Sequence, residues 1–244
     1  MALLEIRDLA KSFGGIRAVD GCSFTVDEGS ITALIGPNGA GKTTVFNLIT
    51  GLYRPDAGAI LFDGARIDGL VPHRITQKGI ARTFQISRDL AALSVLENVI
   101  VQSPARGIMH LLRPSMSPQE RARAMDLLDF VGIAELAHEP AAKLSYGQKK
   151  LLELAGCLMA RPRLVLLDEP AGGINPALLD VIVDRVRQLR EEGVTFLIVE
   201  HNMDVVMNVC DPVVVMAYGA CLARGSPAAI QNDAAVLEAY LGVA

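Results

Sequence analysis

The sequence predicts an α/β fold around a mostly parallel central sheet, and three stretches predict it. Leu164 to Leu167 and Thr195 to Val199 are unbroken apolar runs of strand length, ending in Asp168-Glu169 and Glu200-His201. Strands apolar on both faces are buried on both faces, the hallmark of a parallel sheet covered by helices. The third stretch, Ser30 to Ile35, runs into the glycine-rich segment Gly36-Pro37-Asn38-Gly39-Ala40-Gly41-Lys42-Thr43. Polar residues at the carboxyl ends of such strands lie where ligands bind in parallel sheets.

The remaining elements follow in order. Leu4 to Leu9, Ser23 to Val26 and Ala59 to Phe62, separated by Gly and Asp turns, read as short antiparallel strands at the N-terminus. Lys42 to Thr50 reads as the helix leaving the glycine loop, closed by Gly51. From about Ser87 to Lys143 there is no strand pattern. Within that segment Ser117-Pro118-Gln119-Glu120 forms a capping box ahead of apolar Ala124, Leu127, Leu128 and Val131, up to Gly132. Asn175-Pro176 opens a further helix that Gly193 closes. The chain therefore reads as one domain, 1–244, whose core comprises 1–86 and 160–244 and whose helical insert comprises 87–159.

Composition narrows the class. The chain has 244 residues, 51% of them hydrophobic, with a mean hydropathy of +0.35, yet no apolar stretch reaches the 18 or so residues of a spanning helix. Acids in Met1-Ala2-Leu3-Leu4-Glu5-Ile6-Arg7-Asp8 do not fit an export signal, so the expected location is the cytosol. Cys22, Cys157, Cys210 and Cys221 form no C-x-x-C pair and read as buried thiols. A net charge of −4 without charge blocks disfavours nucleic acid as the main partner.

Gly36 to Thr43 has the chemistry of a phosphate cradle. Glycines let successive N–H groups turn toward an anion, Lys42 adds a point charge, and Thr43 offers a hydroxyl to Mg²⁺. A second device stands at Leu144-Ser145-Tyr146-Gly147-Gln148, where Ser145 and Gln148 have capping-box spacing and a helix start would face another anion. One nucleotide needs only one cradle. Asp168 and Glu169 at the edge of a core suit a metal contact and a base rather than solvated loop charges. Residue by residue the plainer readings stay open. Asn175 is a helix cap in its own right, Phe13 suits a core as well as a ring-stacking role, and a lone His201 is more often structural.

Taken in order, the cradle, Gln85 in Ala81-Arg82-Thr83-Phe84-Gln85, the Ser145 segment, Leu164 to Glu169 and His201 resemble the ATP-binding cassette of ABC transporters over nearly the whole chain. That resemblance implies a P-loop NTPase (ABC ATPase) with an N-terminal antiparallel β-subdomain and a helical signature subdomain. It implies ATP and Mg²⁺ as cofactors, bound by Gly36, Pro37, Asn38, Gly39, Ala40, Gly41, Lys42, Thr43 and Thr44. Thr43, Asp168 and Gln85 would serve the metal, Glu169 would be the base, and His201 and Gln85 would assist it. Phe13 sits where the family stacks a ring on adenine. Ser145, Gly147 and Gln148 would close over the ATP of a second cassette in a head-to-tail dimer, with Asn175 in the loop crossing the interface.

Two departures point to a subfamily. Tyr146 stands where glycine is commonest, and Asn175 where many cassettes have aspartate. With Ala171-Gly172-Gly173-Ile174-Asn175-Pro176 and the ending Glu238-Ala239-Tyr240-Leu241-Gly242, they resemble the ATPase subunits of branched-chain amino-acid importers. The partners so implied are an identical or paralogous cassette, two integral membrane permease subunits and, indirectly, an extracytoplasmic substrate-binding protein, with no nucleic acid. The chain would sit on the cytoplasmic face of the plasma (inner) membrane. Importers for urea or amides, lipid or lipopolysaccharide exporters, and soluble non-transport cassettes share parts of the pattern.

Overall fold

A computed structural model of the chain describes residues 1–83, 90–103 and 117–241. Gln85 lies outside the described residues. The described elements form two sheets. β1 (Ala2–Phe13), β2 (Ile16–Asp27), β4 (Ala57–Phe62) and β5 (Ala65–Arg66) make an antiparallel sheet in the order β2-β1-β4-β5. The second sheet contains β3 (Ile31–Ile35), β6 (Ile80–Arg82), β7 (Leu164–Asp168), β8 (Thr195–Val199), β9 (Val213–Ala217) and β10 (Ala220–Gly225). Its order is β10-β9-β3-β8-β7-β6, and every pairing is parallel except β10 with β9.

The apolar runs are explained by packing on both faces of this second sheet. In β3, Ala33 and Ile35 face one core and Leu34 the other; in β8, Phe196 and Ile198 oppose Leu197 and Val199. The first core is filled by helices, among them α3 (Val95–Val101), α4 (Pro118–Val131), α5 (Tyr146–Met159) and α6 (Pro176–Glu191). The second holds α1 (Lys42–Ile49) between the two sheets, with Phe46 fully buried. Each fully buried Leu, Ile or Phe contributes about 1.5–3 kcal/mol against the chain's entropy cost, so these layers dominate the stability.

Local signals set the helix ends. Ser117 and Glu120 cap α4 reciprocally, and Gly132 ends it in the left-handed region at φ 81°. Asn175 Oδ1 accepts from Leu178 N at 2.9 Å to open α6, followed by Pro176. The N-terminal strands differ from expectation. Two of them, β1 and β2, run to 12 residues each, their alternation interrupted by bulges, whereas β4 is as short as expected; Asp8 takes φ 46° and the β1–β2 register shifts between Ile6 and Leu9. No helix among the described residues is long and apolar enough to cross a membrane.

Candidate nucleotide site

β3, β8 and β7 are parallel neighbours, so their carboxyl ends open along one edge of the sheet. From that edge come the cradle after β3, Asp168 and Glu169 after β7, and His201 after β8. An open cleft of about 300 Å³ there is lined by Ala18, Asn38, Lys42, Thr43, Glu169 and His201, together with Gly39, Ala40, Gly41 and Thr44. Sequence positions more than 150 residues apart thus meet in one cavity.

The cradle needs its glycines. Gly36 has φ 150°, and a Cβ built there would lie 2.1 Å from the main-chain oxygen of Met216; at Gly41, with φ 100°, a Cβ would lie 2.3 Å from that of Ala18. Gly41 is also the N-cap of α1 and supplies no side-chain cap, and the first turn has no acidic residue. The leading N–H groups of a helix have no intrahelical acceptor, so here they and the positive dipole end face the cleft. Lys42 is 6% exposed, with Nζ donating to the carbonyls of Gly36 at 2.7 Å and Pro37 at 3.0 Å. Burial pulls its ammonium below the usual lysine value, and the charges of Glu169 and Asp168 oppose that shift.

The carboxylates divide the work. Asp168 is 3% exposed, and its Oδ2 accepts from Arg82 Nη2 at 2.7 Å, while its N–H donates to Thr83 Oγ1 at 3.2 Å. Glu169 carries an uncommon φ of 50°, and its Oε1 lies 3.1 Å from His201 Nε2. Both side chains of that pair are partly exposed to the cleft, at 26% and 43%. A carboxylate and an imidazole in contact beside an anion cradle are placed to handle the proton of a water attacking a phosphate.

The donors suit Mg²⁺. Thr43 and Asp168 offer the hard oxygen ligands that ion prefers. Among the described residues no three His, Cys, Asp or Glu side chains gather into a metal cage.

The other expected residues are not among those that line the cleft. Ser145 and Gln148 form the capping box at the start of α5, with Ser145 N donating to Gln148 Oε1 at 2.9 Å and Gln148 N to Ser145 Oγ at 3.3 Å. Gly147 packs against α6, where a Cβ would lie 2.2 Å from Leu178 Cδ2, and Gly173 lies against the Tyr146 ring. The segment at 145–148 and the loop holding Asn175 therefore form one surface. Neither lines this chain's own cleft. Phe13, 40% exposed, meets Tyr53 edge-on at 5.1 Å and is likewise not a cleft residue. Sequence reasoning passed over Ala18, Arg82 and Glu200 as contributors. Arg82 and Glu200 stood inside quoted motifs but announce no partner by spacing.

Comparisons with known proteins agree with this geometry. The family model described as ABC transporter matches residues 19–172, and one described as branched-chain amino acid ATP-binding cassette transporter matches residues 220–244. The high-affinity branched-chain amino acid transport ATP-binding protein BraF of Pseudomonas aeruginosa is 42% identical, over 99% of this chain and 98% of the relative. A crystal structure of a nucleotide-free ATP-binding cassette from an ABC transporter superposes with a TM-score of 0.89 at 33% identity, covering 98% of each chain. The dimeric structure of the ABC transporter cassette MJ0796 superposes with a TM-score of 0.80 at 25% identity, over 92% of this chain and 98% of that one. With its cradle, carboxylates and histidine on one edge of a parallel sheet, and relatives matching almost end to end, the chain belongs to the ABC transporter family as an ATP-binding subunit.

Proposed function

We propose that this chain hydrolyses ATP to drive a membrane importer of branched-chain or other hydrophobic amino acids. The observation that carries the chemistry is the meeting of Lys42, Glu169 and His201 in one cleft. The substrate class is supported by the match over 220–244 and by what the BraF relative is named for.

In this reading the cradle amides and the α1 N-terminus bind the ATP phosphates, and Lys42 turns from the Gly36 and Pro37 carbonyls to the β- and γ-phosphates. Glu169 accepts the proton of the attacking water, and His201 holds that carboxylate and the γ-phosphate in line. Mg²⁺, held by Thr43 and Asp168 with Gln85, would neutralise charge developing on the phosphate oxygens. Phe13 would stack on the adenine.

The devices on separate surfaces imply a pair of chains. Ser145, Gly147 and Gln148 would complete the cradle of a second cassette, identical or paralogous, with Asn175 beside them at the interface. The dimeric cassette among the structural relatives supports that arrangement. An apolar groove of about 160 Å³, lined by Leu52, Ile75, Ala81, Gly156, Cys157 and Ala160 among others, suits a helix end of a permease subunit. Its lining residues come both from the expected core, such as Leu52 and Ile75, and from the expected helical insert, such as Gly156 and Cys157. Two permeases and an extracytoplasmic binding protein would complete the importer, with this chain on the cytoplasmic face.

The direct test is Glu169→Gln with MgATP. It should bind nucleotide and accumulate a dimer in sedimentation velocity without steady-state hydrolysis. Brisk turnover by this variant would remove Glu169 as the base.

A further inference from the structure

We propose that Glu200 is a positioning residue that fastens His201 and the turn after Glu169 into one unit, an inference that rests on the roles given to those two residues above. Glu200 follows β8 and is 3% exposed. A carboxylate buried to this degree is costly unless it is fully hydrogen-bonded, and a position with only a packing role would hold an apolar residue like its neighbours Ile198 and Val199. No salt bridge to Glu200 occurs among the described residues; main-chain N–H groups from two separate segments satisfy it instead. Oε1 accepts from Ala171 N at 2.7 Å, and Oε2 accepts from His201 N at 2.7 Å and Asn202 N at 2.8 Å.

The two segments are the ones that carry the reacting pair. Ala171 lies two residues beyond Glu169, whose left-handed φ of 50° a non-glycine residue keeps only when its surroundings impose it. Glu169 N donates to Val199 O at 2.9 Å, and Gly172 N closes the turn onto Glu169 O at 3.1 Å. On the other side, Asn202 Oδ1 accepts from Val205 N at 3.2 Å, so the main chain bearing His201 is fixed from both directions. One carboxylate therefore sets the spacing between the two main-chain segments whose side chains meet at 3.1 Å.

The test uses the full chain with Glu200→Gln, which keeps shape but offers one acceptor oxygen where two are needed. The kcat for ATP should fall about tenfold, the scale of one lost hydrogen bond to a charged group. KM and MgATP affinity should stay within about twofold, since the cradle is untouched. In a His201→Ala background, Glu200→Gln should add less than about a twofold further loss, because what it sets is the spacing between Glu169 and that histidine, which the first variant has already removed. Wild-type kcat in Glu200→Gln, an equal loss in both backgrounds, or lost affinity with kcat preserved would each overturn the proposal. If the Gln variant does not fold, Glu200→Asp is read by the same criteria, since its shorter side chain cannot span both segments. Glu169→Gln is run in parallel: brisk turnover by that variant removes Glu169 as the base, the role on which this inference rests, whereas an inert Glu169→Gln beside a normal Glu200→Gln defeats only the positioning role.

Discussion

Arg82 Nη2 donates to Asp168 Oδ2 across 2.7 Å, and the two side chains are only 6% and 4% exposed. Nη1 of the same guanidinium donates to Asn47 Oδ1 at 2.6 Å, so Arg82 ties β6 and β7 to α1, the helix that leaves the cradle. Removing one member of a buried pair strands the other as an uncompensated charge. Arg82→Met should therefore lose about 3–5 kcal/mol of unfolding free energy in a urea titration. The Arg82→Met/Asp168→Leu double variant should lose less than the sum of the singles, because neither charge is left alone.

The cradle glycines differ in a testable way. Gly36→Ala would drive a Cβ into the Met216 carbonyl, which is backbone and cannot step aside, whereas Gly39 at φ 82° has nothing within 4 Å of a built Cβ. Gly39→Ala should cost about 1 kcal/mol through its backbone conformation alone. Gly36→Ala should cost several times more, and thermal melts of the two variants check the contrast.

These relationships show what sequence reasoning could and could not reach. β3, β7 and β8 are legible because each must bury both faces, which leaves nearly continuous apolar runs broken inside the strand only by Thr32 of β3. The capping boxes at Ser117 and Ser145 are equally plain, since their partners lie three residues away. Ser94 and Glu97 form another at the start of α3, readable by the same rule though not singled out. The long β1 and β2 were obscured by the bulge at Asp8, which breaks the alternation a strand would show. Arg82 and Glu200 were opaque for a different reason. Asp168, which Arg82 meets, and Ala171, which Glu200 meets, stand 86 and 29 residues away, and only the sheet order brings them together.

Burial pushes the Cys22 and Cys210 thiols up from 9.0 to about 12. The folded chain then keeps protons that the unfolded chain releases above pH 9. These thiols contribute their full stability below pH 9 and lose it as pH rises toward 12, by about 1.4 kcal/mol per pH unit for each group. Urea titrations between pH 9 and 11 should show a shallower decline for Cys22→Ala/Cys210→Ala than for the parent chain. Parallel declines would contradict the burial of both thiols as protonated groups.

Side-chain capping at α5 and its proposed nucleotide role separate by magnitude. Losing the Ser145 cap should cost about 1 kcal/mol of stability in Ser145→Ala. ATP hydrolysis should fall far more than that loss explains, with MgATP binding to the variant's own cradle unchanged, as measured by equilibrium binding.

The central claim is that the nucleotide site is completed across a dimer, and mixing two defective chains tests it most directly. Lys42→Ala disables a chain's own cradle, while Ser145→Arg disables what that chain offers its partner. Each variant alone should be inactive in steady-state ATP hydrolysis. Their equimolar mixture should recover up to about a quarter of the parent rate, because half the dimers are mixed and each of those retains one intact site. A mixture as inactive as its components, beside a parent chain that hydrolyses ATP at a rate linear in protein down to monomeric dilution, would contradict a site shared between chains.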